Sequence, residues 1–212
     1  METTQLKTGT TTIGILCKDG IVLAADKRAT AGNLIVDKKA KKIHEISDNL
    51  ALTTAGTVSD IQLIIKVLKA ELKLKTIRVN RDANVKEAAN LLSNMVYNNI
   101  RKFSTIPGIA HFLFGGVDAS GYHLYDLFPD GSLTEIDNYI SSGSGSVFVY
   151  GVMESQFKKN MTTDEGIKLA VTAINAALQR DSASGNGLDV MVIDKNGCKR
   201  VIEKELNTKI EV

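Results

Sequence analysis

Residues 9–26 read GTTTIGILCKDGIVLAAD and contain two apolar runs on either side of Lys18-Asp19-Gly20. Lys-Asp-Gly is a turn signal, and threonine, isoleucine and valine favour extended backbone. The pattern predicts a β-hairpin whose strands run from residue 10 to 17 and from residue 21 to 26. Three threonines open the first strand, and their β-propensity alone is enough to explain a threonine run there.

The length of the hairpin loop decides which residues face each other across the two strands. A three-residue loop places Thr12 opposite Asp26. It also places Thr10 opposite Arg28, and all four side chains then share one face of the sheet. A two-residue loop shifts the register by one and turns Asp26 to the other face. A catalytic role for Asp26 favours the three-residue loop.

The rest of the chain groups its helices together and its strands together. Apolar spacing of three and four residues predicts helices from Ser59, from about Val85 to Phe103, and from Thr162, where Thr162 and Glu165 form a capping box. Further strands are predicted at residues 43–46, 50–55, 110–117, 122–128, 133–136, 188–194 and 198–202. This order predicts an α+β fold, a four-layer sandwich of two antiparallel sheets between helix layers.

Composition excludes several classes of function. The 212 residues include 26 basic and 24 acidic side chains, so the net charge of +2 gives no basic field for nucleic acid or an anionic membrane. No apolar run is long enough for a membrane span or a signal peptide, which predicts a cytoplasmic protein. The three histidines and two cysteines lack ligand spacing. We therefore expect no metal, no disulfide and no cofactor.

The Gly9-Thr10 junction offers a nucleophile that needs neither histidine nor cysteine. If the bond between them is cleaved, Thr10 becomes a terminal residue that carries both a hydroxyl and a free amine. An α-amine titrates near pH 7.7 to 8.0 and can accept the hydroxyl proton. Gly9 has no Cβ, so its carbonyl can adopt the conformation in which Thr10 Oγ1 attacks it.

Such a site also needs a cation, a carboxylate and an oxyanion donor. Lys42 ends the cluster 38–42, although a lysine cluster is usually a solvated loop. Residues 54–57 join a strand to a helix, where N–H groups can point at an anion, although an ordinary turn has the same pattern. The serine-rich segments 142–146 and 180–185 are, by themselves, typical of caps and turns.

Taken together, these segments resemble the catalytic β-type subunit of the proteasome core particle, most closely the archaeal kind. The resemblance runs from about residue 9 to residue 201 and rests on six segments in order: GTTTIGI, AADKRATAGN, KKAKKI, TTAGTVSD, SSGSGSVFVYGVMES and QRDSASG. It implies the N-terminal nucleophile hydrolase fold, residues 10–212 as a single domain, and residues 1–9 as a propeptide removed autocatalytically.

The resemblance also implies a role for each matching residue. Thr10 is the nucleophile and α-amine base, and Gly56 supplies the oxyanion N–H. The other implied catalytic residues are Asp26, Lys42, Ser144, Asp181 and Ser184. The implied substrate-binding residues are Arg28, Ala29, Thr30, Ala40, His44, Thr54 and Val58. Many relatives carry a larger apolar residue at the position of Thr54, so the side-chain specificity stays open.

The same resemblance implies the partners. Other β subunits complete a seven-membered ring, α-type subunits stack on it, a regulatory ATPase acts through the α ring, and unfolded polypeptide is the substrate. A threonine endopeptidase is the function we expect. A non-catalytic ring subunit of the same fold is the alternative, and only the active form is expected to lose residues 1–9.

Overall fold

The computed structural model describes residues 9–206 of the chain. It contains twelve strands and four helices, with bounds β1 Thr12–Cys17, β2 Gly20–Asp26, β3 Ala29–Ala31, β4 Leu34–Asp37, β5 Ile43–Ser47, β6 Leu50–Gly56, α1 Val58–Val79, α2 Val85–Arg101, β7 Ala110–Asp118, β8 Gly121–Leu127, β9 Leu133–Glu135, β10 Tyr139–Ser142, α3 Ser146–Gln156, α4 Thr163–Arg180, β11 Gly187–Asp194 and β12 Gly197–Glu205. Residues 1–8 of the predicted propeptide lie outside the described residues.

Two five-stranded antiparallel sheets form the centre of the fold. The first sheet has the order β10-β1-β2-β11-β12 and the second has the order β5-β6-β7-β8-β9, while β3 and β4 form a separate hairpin. We call them the N-terminal sheet and the central sheet. Every pair of neighbouring strands is antiparallel.

Three apolar clusters define the four layers. One cluster packs α1 and α2 on the central sheet, and a second packs α3 and α4 on the N-terminal sheet. The third lies between the two sheets and contains Leu23, Ala51 and Met191. Burial of apolar surface at all three interfaces stabilises the stack. The predicted four-layer sandwich is confirmed.

The predicted register of the first hairpin is wrong. Cys17 pairs with Gly20, so the loop has two residues, Lys18 and Asp19. Gly20 belongs to β2, and a Cβ there would lie 2.6 Å from the carbonyl oxygen of Ile193 on β11. Gly20 is therefore needed because β11 approaches it closely. It does not serve as a left-handed residue of the loop.

Three short elements carry no recognisable signal in the sequence. They are the β3–β4 hairpin, β10 and α3. In α3 the apolar residues lie on several sides: Val149 and Met153 are buried, whereas Val147 is 74% exposed. Without a single apolar stripe, the helical periodicity is lost. Of the helices in residues 9–206, none is long and apolar enough to cross a membrane.

Candidate active site

Thr10 lies just before β1 and is 5% exposed. Its Oγ1 hydroxyl donates to the carbonyl oxygen of Gly9 at 2.6 Å, and its N–H donates to Ser144 Oγ at 3.3 Å. The N–H of Gly9 donates to Thr30 Oγ1 at 3.0 Å. The hydroxyl of Thr10 is therefore held beside the carbonyl of the peptide bond that precedes it.

A chain of hydroxyl groups connects this junction to one carboxylate. Ser144 Oγ and Ser184 Oγ each donate to Asp181 Oδ2 at 2.6 Å. A serine hydroxyl has one proton, so both oxygens can only accept from other groups. Thr11 Oγ1, 2.6 Å from Ser184 Oγ, is then the donor to Ser184. The Thr10 N–H is thus linked to Asp181 through Ser144, and the Thr11 hydroxyl is linked to Asp181 through Ser184.

Glycines let the backbone close around the threonines. Gly143 has φ +93°, and a Cβ there would overlap the carbonyl oxygen of Thr10. A Cβ at Gly145 would overlap Thr11 Oγ1, and a Cβ at Gly9 would overlap the side chain of Ala183. The alternating Gly-Ser pattern of 142–146 therefore has a steric cause: the serine between the glycines reaches Thr10.

Asp26 is the most completely paired charge in the site. It is 1% exposed, and its two carboxylate oxygens accept four hydrogen bonds at 2.6 to 3.0 Å. The donors are Lys42 Nζ and the backbone N–H groups of Thr11, Arg28 and Gly185. Because Asp26 ends β2, this carboxylate joins the N-terminal sheet to the loop that precedes β5.

Lys42 is a buried cation, 6% exposed, and not a solvated loop residue. Its Nζ lies 2.6 Å from Asp26 Oδ1. Burial lowers the pKa of the Lys42 ammonium, and the charge of Asp26 opposes that effect. Such a lysine releases and regains a proton more readily than an exposed one. Asp26, the partner of Lys42, is held in place by hydrogen bonds on both of its carboxylate oxygens.

Most of the residues that the resemblance assigns to substrate binding line one cleft of about 430 Å³. Thr10, Lys42 and Gly56 line the same cleft. The predicted residues that it contains are Ala29, Thr30, Ala40, His44, Thr54 and Val58. A second cleft, of about 480 Å³, lies beside the turn between β5 and β6 and contains none of these residues.

Arg28 does not line the cleft. Its Nε donates to Asn186 Oδ1 and its Nη1 donates to the carbonyl oxygen of Ser182, both at 2.8 Å. A Cβ at Gly185 would overlap its guanidinium. The structure therefore places Arg28 against the loop between α4 and β11, where it orders the residues next to Asp181.

Gly56 ends β6 at the edge of the cleft. Its φ is +128°, and a Cβ there would overlap the carbonyl oxygen of Ile109. The N–H of Thr54 donates to the carbonyl oxygen of Lys42 at 2.9 Å. Alternate N–H groups of a strand point the same way, so the Gly56 N–H points past the start of β5, towards the cleft.

Two residues of the site carry no individual signal in the sequence. Thr11 enters through its hydroxyl and its N–H, and only its place in the threonine triplet could have indicated it. Ala183 packs where a side chain on Gly9 would lie. The cleft also includes Val36, Ile61 and Gln62, which come from β4 and α1.

Within the part of the chain that the structure describes, no three or more histidine, cysteine, aspartate or glutamate side chains are grouped so that they could hold a metal ion. The site instead offers a hydroxyl beside a carbonyl, a buried ammonium, two carboxylates and a backbone N–H. This set suits nucleophilic attack on a carbonyl, followed by proton transfer.

Comparison with known proteins identifies the family. The family model described as "Proteasome subunit" matches residues 6–193. The chain belongs to the proteasome subunit family. It is 43% identical to the proteasome subunit beta of Ferroglobus placidus over 203 residues, which is 96% of this chain and 95% of that protein. It is 47% identical to that of Methanocorpusculum labreanum over 192 residues, 91% of this chain and 89% of that protein.

A third relative, the proteasome subunit beta of Archaeoglobus profundus, is 45% identical over 200 residues, 94% of this chain and 91% of that protein. Membership of the proteasome subunit family implies assembly with other proteasome subunits. Large apolar side chains that are exposed in the single chain are available for such contacts, among them Leu63, Val67, Ile77, Tyr97 and Phe103.

Proposed function

We propose that this chain is a catalytic β-type subunit of the proteasome core particle, a threonine endopeptidase that hydrolyses unfolded polypeptide. One observation supports this above the others. Thr10 Oγ1 lies 2.6 Å from the carbonyl oxygen of Gly9, the Thr10 N–H donates to Ser144 of the Ser144–Asp181 pair, and the next N–H, of Thr11, donates to Asp26 of the Asp26–Lys42 ion pair. A threonine that only stabilised a strand would need none of these charged neighbours.

The first reaction is removal of residues 1–9. Thr10 Oγ1 attacks the carbonyl carbon of Gly9, the C–N bond to Thr10 breaks, and the hydroxyl proton goes to the departing amine. The product is an ester between Gly9 and Thr10 Oγ1. Water then hydrolyses this ester, which releases the Gly9 carboxylate and restores the hydroxyl of Thr10 beside a free amine.

The second reaction repeats this chemistry on a substrate. The free amine of Thr10 takes the hydroxyl proton, and Oγ1 attacks the substrate carbonyl. The Gly56 N–H, which points towards the cleft, would donate to the oxyanion. The Lys42 ammonium adds positive charge in the same cleft, which favours the neutral amine that a base requires. Water finally hydrolyses the acyl ester on Thr10.

The contact of Gly9 with Thr30 indicates how a substrate would lie. The N–H of Gly9 donates to Thr30 Oγ1, and β3 is a short strand at the cleft. A peptide whose last residue takes the place of Gly9 would lie alongside β3 as an added strand. The side chain before the cleaved bond would enter the space between Ala29, Ala40 and Thr54.

Assembly follows from the same proposal. The chain would form a seven-membered ring with other β subunits, stacked on α-type subunits through which a regulatory ATPase delivers substrate in the cytoplasm. A non-catalytic ring subunit would form the same contacts without losing residues 1–9.

The test is a matched pair of substitutions in particles assembled with an α-type proteasome subunit. Thr10→Val removes the proposed nucleophile without changing the side-chain size. Thr12→Val removes an equally buried hydroxyl, which only contacts the carbonyl oxygen of Ser142 at 3.5 Å. We expect Thr10→Val to retain residues 1–9 and to hydrolyse no peptide, and Thr12→Val to stay active. Peptide hydrolysis by Thr10→Val would overturn the proposal.

A further inference from the structure

His111 bridges the two sheets next to the active site. Its Nδ1 lies 2.7 Å from Ser142 Oγ on β10, in the N-terminal sheet. Its Nε2 lies 2.6 Å from Asp126 Oδ1 on β8, in its own central sheet. Ser142 does not line the cleft that contains Thr10, so this serine is not placed to meet a substrate there.

The direction of each hydrogen bond follows from the groups involved. An ionised Asp126 carboxylate can only accept, so His111 Nε2–H donates to it. In the neutral ring, Nδ1 is then the acceptor, and the hydroxyl of Ser142 donates to it. The rings of His111 and Phe128 also pack edge to face, with their centroids 5.1 Å apart. The imidazole is therefore fixed on both sides.

The bridge lies where the two halves of the proposed reaction centre must stay aligned. Thr10 and Ser144 belong to the end of the N-terminal sheet, whereas Gly56 belongs to the central sheet. Ser142 is two residues before Ser144. On the other sheet, His111 pairs with Ala55, the residue before Gly56. One hydrogen bond thus connects the backbone that holds the nucleophile to the backbone that holds the oxyanion N–H.

We propose that His111 is a positioning residue, which sets the separation of Thr10 Oγ1 and the Gly56 N–H through its hydrogen bond to Ser142. The Lys42–Asp26 pair connects the same two sheets by another route. The inference rests on the proposed function, because only a reacting Thr10 needs the alignment. Misplacement of a nucleophile by about 1 Å can cost about a hundredfold in rate, so a contact that prevents smaller shifts affects kcat.

The test compares two neighbouring serines of β10 in the assembled particle. Ser142→Ala removes the bridge and leaves His111 bonded to Asp126. Ser141→Ala is the matched control, because Ser141 is also buried but its hydroxyl donates to the carbonyl oxygen of Thr12 inside the same sheet, at 2.8 Å. Ser142→Thr keeps a hydroxyl at the bridging position.

We expect Ser142→Ala to lower kcat roughly tenfold with KM within about twofold of the wild-type value. Ser142→Thr should recover most of that kcat, and Ser141→Ala should keep it. Equal kcat losses in Ser142→Ala and Ser141→Ala would overturn the inference, because the hydroxyl would then contribute only to general stability. A wild-type kcat in Ser142→Ala would also overturn it.

A second measurement does not depend on catalysis. Hydrogen exchange of residues 143–146 should be faster in Ser142→Ala than in Ser141→Ala, because the turn loses its connection to the central sheet. Equal exchange would contradict the bridge. If the wild-type particle hydrolyses no peptide, the proposed function fails, and the exchange comparison alone decides whether His111 holds the turn.

Discussion

Replacing Gly9 by alanine should stop the chain from processing itself. A Cβ at Gly9 would overlap the side chain of Ala183 and lie 2.7 Å from its Cα and 2.8 Å from its carbonyl oxygen. Ordinary contact begins at 3.4 Å, so Gly9 must move by at least 0.7 Å to clear the backbone alone. The Gly9 carbonyl then moves away from Thr10 Oγ1, which now lies 2.6 Å from its oxygen.

A displacement of about 1 Å at a reacting centre can cost about a hundredfold in rate. We therefore expect cleavage of the Gly9-Thr10 bond in Gly9→Ala to be about a hundredfold slower than in the wild-type chain. Intact mass against time after assembly measures the loss of residues 1–9. Cleavage within about threefold of the wild-type rate would refute the steric argument.

The control separates processing from folding. The proposed processing removes residue 9, so a chain released from a cleavable fusion with Thr10 as its first residue should be fully active. Ala183→Gly in the Gly9→Ala background should restore cleavage only in part. It removes the side-chain overlap, but the backbone contacts of residue 183 stay.

Three further predictions concern stability and reactivity. Asn84→Ala should lower the free energy of unfolding by about 1 kcal/mol in urea titrations, since Asn84 and Glu87 form the capping box of α2. Burial raises the pKa of both Cys17 and Cys198 thiols to about 12, so at pH 8 a thiol reagent should label the native chain far more slowly than the denatured one. Burial, with the charge of Lys69 nearby, lowers the pKa of His44 below 6.5 in the folded chain. The unfolded chain then binds more protons than the folded chain, so the free energy of unfolding should fall as the pH drops through 6.5. In His44→Gln, the free energy of unfolding should therefore fall less between pH 7 and pH 5.5 than it does in the wild-type chain.

Much of the fold follows from local patterns in the sequence. The capping box at Thr162 and Glu165 starts α4 where it was expected. The amphipathic stripe of residues 85–101 gives α2, and the Asp118-to-Gly121 turn joins β7 to β8. Each signal lies within a few residues of the element that it specifies, so a single sequence carries it in full.

The register of the first hairpin was not available from local patterns. Gly20 fits a three-residue loop as well as it fits a strand, and the carbonyl of Ile193, on a strand far along the chain, decides between them. The expectation that Asp26 lies opposite Thr12 was also wrong, because Ala25 pairs with Thr12. As the last residue of β2, Asp26 reaches Lys42 from the shifted register.

The site, like the fold, is only partly specified by local patterns in the sequence. The Gly9-Thr10 junction and the scarcity of histidine and cysteine indicate a terminal-amine nucleophile. The contacts that build the centre are long-range: Thr10 meets Ser144 across 134 positions, and Thr11 meets Ser184 across 173. The inter-sheet contact of His111 with Ser142 has no local pattern at all, because only the stacking of the two sheets brings them together.

The most direct test of Thr10 as the nucleophile is the position of the acyl group during turnover. Assembled particles incubated with a slowly hydrolysed peptide ester can be quenched in acid and mapped by tandem mass spectrometry. We predict a single acyl ester on Thr10 Oγ1 of chains that have lost residues 1–9. An acyl group on Ser144 or Ser184, or peptide hydrolysis by chains that still carry residues 1–9, would contradict this prediction.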